Sequence, residues 1–206
     1  MKLYTKPGAC SLADHIVLHW SGLPFEVEIV DLATMKSPAF LAFNPAGAVP
    51  VLRDGDWVLT QNAAILHYIA DSAPDKALDG GNDKRSRAEV NRWLSFVNAD
   101  VHPTFKPIFG ATRYLGDEAM VARTQDDARN KLRSLYQRVQ DQLAAGHDWI
   151  AGTAAPSIAD AYLYVTLRWA RGVGVDLSGL DALAAFGARM EADAGVQAAL
   201  KAEGLA

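Results

Sequence analysis

Little in this chain suggests a staple, an anchor or a polyanion partner. One of its 206 residues is cysteine, Cys10, so no intrachain disulfide can form. No apolar run exceeds five residues (Ala39 to Phe43, Ala161 to Val165 and Ala182 to Phe186), far short of the roughly 20 a membrane helix needs. The opening MKLYTKPGAC lacks the apolar stretch of a signal peptide. Basic residues are not in excess: 20 Lys and Arg stand against 24 Asp and Glu, a net charge of −4, which leaves no electrostatic footprint for nucleic acid. A P-loop, a Gly-x-Gly-x-x-Gly turn and a nucleophile elbow are all missing. What remains is an ordinary globular composition, 50% apolar and 21% charged, long enough for one or two domains and a core that needs no cross-links. The expectation is a soluble, cytoplasmic protein that binds neither nucleic acid nor membrane.

Periodicity divides the chain. Met1 to Thr5 is strand-like and stops at Lys6-Pro7-Gly8. Ala13, Ile16, Val17 and Trp20 then recur at helical spacing, and Gly22 and Pro24 close the helix. Phe25, Val27 and Ile29 alternate with Glu26 and Glu28, as a half-buried strand does. A short helix over 38–43, strand-like Val49 to Leu52, an Asp54-Gly55 turn into Trp57-Val58-Leu59 and a helix from Asn62 to Asp71 complete a βαβαββα order. Its first two strands should be parallel and its last two antiparallel, a mixed four-stranded sheet. Residues 72 to 83 are rich in Pro, Gly, Asp and Ser and read as linker. Beyond them apolar stripes at helical spacing run through Val90–Val101, Leu132–Leu143 and Ile158–Trp169, with shorter helices near 180–193 and 196–203. The expected architecture is an α/β domain over 1–77, a linker over 78–83 and an all-α bundle over 84–206.

Cys10 falls between the first strand and the first helix. A helix start favours an anion and lowers a thiol's pKa, so a reactive thiolate is expected there rather than a small buried hydrophobe. Residue 13 is alanine, so no Cys-x-x-Cys pair exists and a second thiol must come from outside, such as glutathione. Proline at position 50 marks either a strand edge or a cis bond whose turn offers the backbone of Val49 to a peptide-like ligand. Asn62 is a good N-cap for its helix, and the amides of Gln61 and Asn62 could also hold the α-carboxylate and ammonium of an amino acid. His15 and His19 are four apart, but no third metal ligand follows at a usable spacing, which favours a solvated face. His102, at the edge of the Val90–Val101 stripe, could meet a ligand between the domains. Ser157 to Asp160 forms a capping box.

Together these stretches resemble the glutathione transferase family, and within it the bacterial beta class. The resemblance is carried by Lys2-Leu3-Tyr4, Lys6 to Leu12, His15-Ile16, Asn44-Pro45, Val49-Pro50-Val51-Leu52, Leu59-Thr60 and Tyr68 to Asp71. In the second half Asp100-Val101-His102, Ile158 to Tyr162, Leu167 to Ala170 and Glu203-Gly204-Leu205 carry it. It implies a thioredoxin-like N-terminal domain, a helical C-terminal domain, a homodimer and no metal. It further implies glutathione as co-substrate with its sulfur near Cys10, a hydrogen bond from Ser11, Val49 and a cis Pro50 pairing with its cysteinyl part, and Gln61 and Asn62 at its γ-glutamyl end. His102 would line the site, and Trp169 would edge the pocket for a hydrophobic electrophile. The family's usual lysine position holds Met35 here, so Lys36 is expected to take its role; Pro103 stands where the class has a second lysine, and the neutral Gln61 brings no charge. The implied activity is conjugation of glutathione to electrophiles, with thiol–disulfide exchange through Cys10. A non-enzymatic binding or interaction module, or a dedicated isomerase or dehalogenase, stays open beside it.

Overall fold

The computed structural model describes residues 1–206. Strands β1 (Lys2–Thr5), β2 (Glu26–Ile29), β3 (Val51–Asp54) and β4 (Trp57–Thr60) form one sheet in the order β2-β1-β3-β4. The β1–β2 pair is parallel and the β1–β3 and β3–β4 pairs are antiparallel, the mixed topology that the alternation and turn signals imply. Gly55 makes the β3–β4 turn at φ 59°, where a side chain would be strained.

Helix α1 (Ser11–Ser21) joins β1 to β2, and α4 (Asn62–Ser72) packs beside it. Between β2 and β3 lie two short helices, α2 (Leu32–Met35), capped by Asp31, and α3 (Pro38–Phe43), capped by Ser37 with Pro38 in its first turn. The helical half consists of α5 (Lys84–Phe96), α6 (His102–Thr104), α7 (Glu118–Ala144), α8 (Ile158–Gly172), α9 (Asp181–Ala192) and α10 (Ala194–Ala202). The capping box at α8 is present: Asp160 accepts from the Ser157 N–H and hydroxyl, and also from the Ile150 N–H at 2.8 Å. No helix is long and apolar enough to cross a membrane.

Two features depart from the periodic reading. First, α1 has no solvated face. It lies between the sheet half and helices α8 and α10, and Ser11 through Leu18 are all buried. His15 is therefore 1% exposed and bonded to Glu203, and His19 stacks on it. Second, α5 does not run straight to Val101. Val97–Val101 is a π-turn in which the His102 N–H reaches back to Val97. Pro103 lacks the N–H that an α-helix would direct at Ala99, so the ladder widens just before it. One inserted residue turns everything that follows by about 100° around the helix axis. A second π-turn, Pro107–Ala111, carries Phe109.

The main core of 42 buried residues runs without a break from Leu3, Leu12 and Ile16 through Trp93 and Tyr136 to Leu163 and Leu200. Both halves share it. At roughly 1.5–3 kcal/mol per fully buried aliphatic or aromatic side chain, this shared interior holds the cleft between them in one geometry.

Candidate active site

The loop that carries Cys10 is tied to the helical half from both sides. Gly8 sits at φ 71°, a conformation that glycine adopts freely. Its N–H donates to Glu203, just after α10, at 3.0 Å, and its carbonyl accepts from Trp169 Nε1 on α8 at 2.7 Å. Glu203 also accepts from the Thr5 hydroxyl and from His15, each at 3.0 Å. With the Thr5 proton so used, the Ser11 hydroxyl donates to Thr5 Oγ1 at 2.7 Å. Ser11 is wholly buried. Its hydroxyl supports the loop from beneath and is not free to reach a ligand sulfur, which corrects the expectation for Ser11.

Cys10 itself is half-buried at the head of α1, with its thiol 3.7 Å from the Val49 carbonyl. The Val49–Pro50 bond is cis. The expected lowering of the thiol pKa does not occur. Burial pushes Cys10 up to about 12, the Asp14 carboxylate one turn below adds to the rise, and the N–H groups of Ser11 and Cys10 at the helix start only partly offset it. Asp14 is completely buried, and desolvation first, then the Glu203 charge, holds its carboxyl well above the usual range. Two acceptors face the Asn62 amide, which assigns its nitrogen as donor to Asp14 at 2.8 Å and to the Cys10 carbonyl at 3.0 Å. Asn62 thus clamps the starts of α1 and α4 together. It is not the N-cap; that position belongs to Gln61, at φ 75°. A non-glycine residue there stores about 1–3 kcal/mol of strain, a mark of functional sites.

Two cavities meet at the thiol. The narrower, about 180 Å³, is lined by Cys10, Val49, Pro50, Gln61, Asn62 and His102 among others. The wider, about 370 Å³, is lined by Lys6 to Cys10, His102, Phe109 and Trp169. His102, Phe105 and Phe109 all pack on Trp169, with ring centroids 4.9, 5.4 and 5.5 Å away. His102 Nδ1 is hydrogen-bonded to the Tyr162 hydroxyl. Burial, helped by Lys106, keeps the His102 pKa below its ordinary value, so it is neutral near pH 7. Lys36 is exposed at the end of α2 and borders neither cavity. Of the expected residues, then, Cys10, Val49, Pro50, Gln61, Asn62, His102 and Trp169 converge, whereas Ser11 and Lys36 do not. Periodicity gave no hint of Phe109 or Asp14, and it marked Tyr162 only as a core position of the Ile158–Trp169 stripe.

Comparison with known proteins places the fold in one family. Residues 9–72 match the model of the glutathione S-transferase N-terminal domain, and residues 107–192 match that of its C-terminal domain. A glutathione S-transferase of Xanthomonas campestris pv. campestris is 66% identical over 205 residues, all of both chains. A solved glutathione S-transferase from Xylella fastidiosa is 61% identical at a TM-score of 0.96, covering 100% of this chain and 99% of that one. A sphingomonad glutathione S-transferase solved in complex with glutathione is 40% identical at 0.87, covering both chains fully. With that fold, that cleft and these relatives, the chain belongs to the glutathione S-transferase family.

Proposed function

We propose that this protein joins the thiolate of reduced glutathione to hydrophobic electrophiles. The reading is carried by one observation: a polar cavity and an aromatic-walled cavity share Cys10 and His102. The polar cavity suits a peptide with a free amino-acid end. Val49 offers backbone groups to the cysteinyl part, and the Gln61 side-chain oxygen accepts from the γ-glutamyl ammonium. The free N–H groups at the start of α4 favour its carboxylate. In this division residues 1–77 hold glutathione and residues 84–206 choose the electrophile.

The glutathione thiol loses its proton to solvent. Its sulfur bonds to the electrophilic carbon, and the leaving group departs with the electron pair. Cys10 stays protonated and turns its S–H from the Val49 carbonyl to the glutathione sulfur. Each unit by which that donor lowers the glutathione pKa is worth about 1.4 kcal/mol. Assigning the Tyr162 hydroxyl as donor to Nδ1 places the proton of neutral His102 on Nε2 as a second donor.

Thiol–disulfide exchange is the slower activity in this reading. It needs the Cys10 thiolate to attack oxidised glutathione, forming the Cys10–glutathione disulfide and releasing one glutathione thiolate. Mass spectrometry after incubation with oxidised glutathione detects it as one glutathionyl unit.

The test of the main activity is glutathione-dependent turnover of 1-chloro-2,4-dinitrobenzene, paired with calorimetry of reduced glutathione. Turnover with binding supports conjugation. No heat at millimolar glutathione overturns it in favour of a non-enzymatic module. Binding without turnover of any aryl halide or enone favours a dedicated isomerase or dehalogenase. The functional unit on the family pattern is a homodimer, which light scattering on the eluting protein checks.

A further inference from the structure

A third cavity, about 540 Å³, adjoins the reaction centre on its far side. It shares Gly8, Phe109 and Trp169 with the wider cavity at the thiol and no residue with the narrow one lined by Val49 and Gln61. The three are therefore in series: the polar cavity, the thiol, then the space behind Trp169. The Trp169–Gly8 hydrogen bond forms the sill between the last two.

The charges in this outer cavity do not cancel. Arg171 and Glu191 both line it and pair with each other at 2.5 Å. Arg168 lines it too, is half-buried, and has no carboxylate within salt-bridge distance. Its only side-chain partner is the neutral Tyr164 hydroxyl at 3.3 Å. A guanidinium carries five N–H donors in a planar fork that matches a carboxylate. The wider cavity adds Lys6 and no acidic residue. Glutathione's own carboxylates do not explain Arg168, because the cavity that suits glutathione does not extend to it.

The geometry points to Arg168 as an anion-reading subsite, selecting elongated aromatic or conjugated electrophiles that bear a carboxylate remote from the reacting carbon. This rests on the conjugation reading above and names its substrate class. The reacting carbon lies at the glutathione sulfur, the unsaturated body crosses Phe109 and Trp169, and the carboxylate meets the Arg168 fork.

A matched pair of enones tests it: 4-(3-oxobut-1-enyl)benzoate and the corresponding benzamide. In each, the glutathione sulfur bonds to the β-carbon, the π-electron pair moves to form the enolate, and the α-carbon takes a proton from water. Both are assayed with wild type, Arg168→Gln and Arg168→Lys. Arg168→Gln is expected to lower kcat/KM for the benzoate by roughly tenfold to a hundredfold, the worth of hydrogen bonds to a charged group. The loss should lie in KM, and the benzamide should change less than about twofold. Arg168→Lys should recover part of the loss, since lysine keeps the charge without the fork. In wild type, added salt should raise KM for the benzoate alone, a readout independent of how the variants fold. Equal losses on both substrates, or no loss on either, overturn the subsite. No wild-type turnover of either enone overturns the conjugation reading itself.

Discussion

The ionisation of Cys10 gives the sharpest test of the protonated role proposed for it. A thiol at a helix start would ordinarily be acidic, yet here burial and the Asp14 carboxylate carry it up to about 12. At pH 7.5 such a group is about 3000-fold less ionised than an unperturbed thiol of pKa near 8.5. A more basic thiolate is intrinsically a better nucleophile, by about 40-fold at a Brønsted slope of 0.45, so the net expectation is alkylation about a hundredfold slower. The assay is clean because Cys10 is the single cysteine. Iodoacetamide is small enough for a half-buried site, and mass spectrometry follows the adduct. Steric hindrance scales the rate equally at every pH, so the profile decides, not the absolute rate. The rate should climb about tenfold per pH unit from 7 to at least 10 while circular dichroism shows the fold intact. Asp14→Asn should bring the midpoint down, since the carboxylate contributes to the rise. A plateau below pH 9 in the wild type would refute the assignment of Cys10 as a neutral donor and restore it as a nucleophile.

Three further outcomes follow from the same contacts. Tyr162→Phe removes the hydroxyl that holds His102 Nδ1; kcat should fall about fivefold, the worth of one hydrogen bond, with glutathione affinity by calorimetry unchanged. Glu203→Ala leaves Thr5, Gly8 and His15 without their acceptor, and urea unfolding should show a loss of about 3 kcal/mol or more. Gln61→Gly relieves the φ 75° strain, so urea unfolding should show about 1 kcal/mol of added stability while glutathione binding weakens.

The contrast between what sequence patterning reaches and what it misses has a physical basis. Strand alternation, the Asp54-Gly55 turn and helical stripes are local signals, legible within a dozen residues, and they return the four strands, the parallel first pair, the antiparallel last pair and the main helices. Cys10 and Val49-Pro50 are legible too, because a thiol at a junction and a proline in a strand are both locally anomalous. Ser11 shows the opposite case. Its hydroxyl is claimed by Thr5, whose proton goes to Glu203, 198 residues away, and no window of sequence contains that fact. The solvated face assigned to His15 and His19 fails for the same reason: the partner that buries His15 is 188 residues distant.

Asn62 makes the consequence chemical rather than merely topological. As an isolated residue before an apolar run it is a good N-cap, and as one of two amides in a cleft it looks like a ligand group. In the fold its nitrogen is drawn to Asp14 and to the Cys10 carbonyl, and a group committed to those two acceptors has less to offer a substrate. Gln61 is then left in the strained cap position, also lining the cavity. The same clamp keeps a buried carboxylate beneath Cys10, and that carboxylate adds to the burial that raises the thiol's pKa. A helix start lowers a thiol's pKa only when nothing beneath it opposes the dipole. Here burial first, and then the Asp14 carboxylate one turn down, oppose it, which is why position along the chain singles out Cys10 but gives its pKa shift the wrong sign.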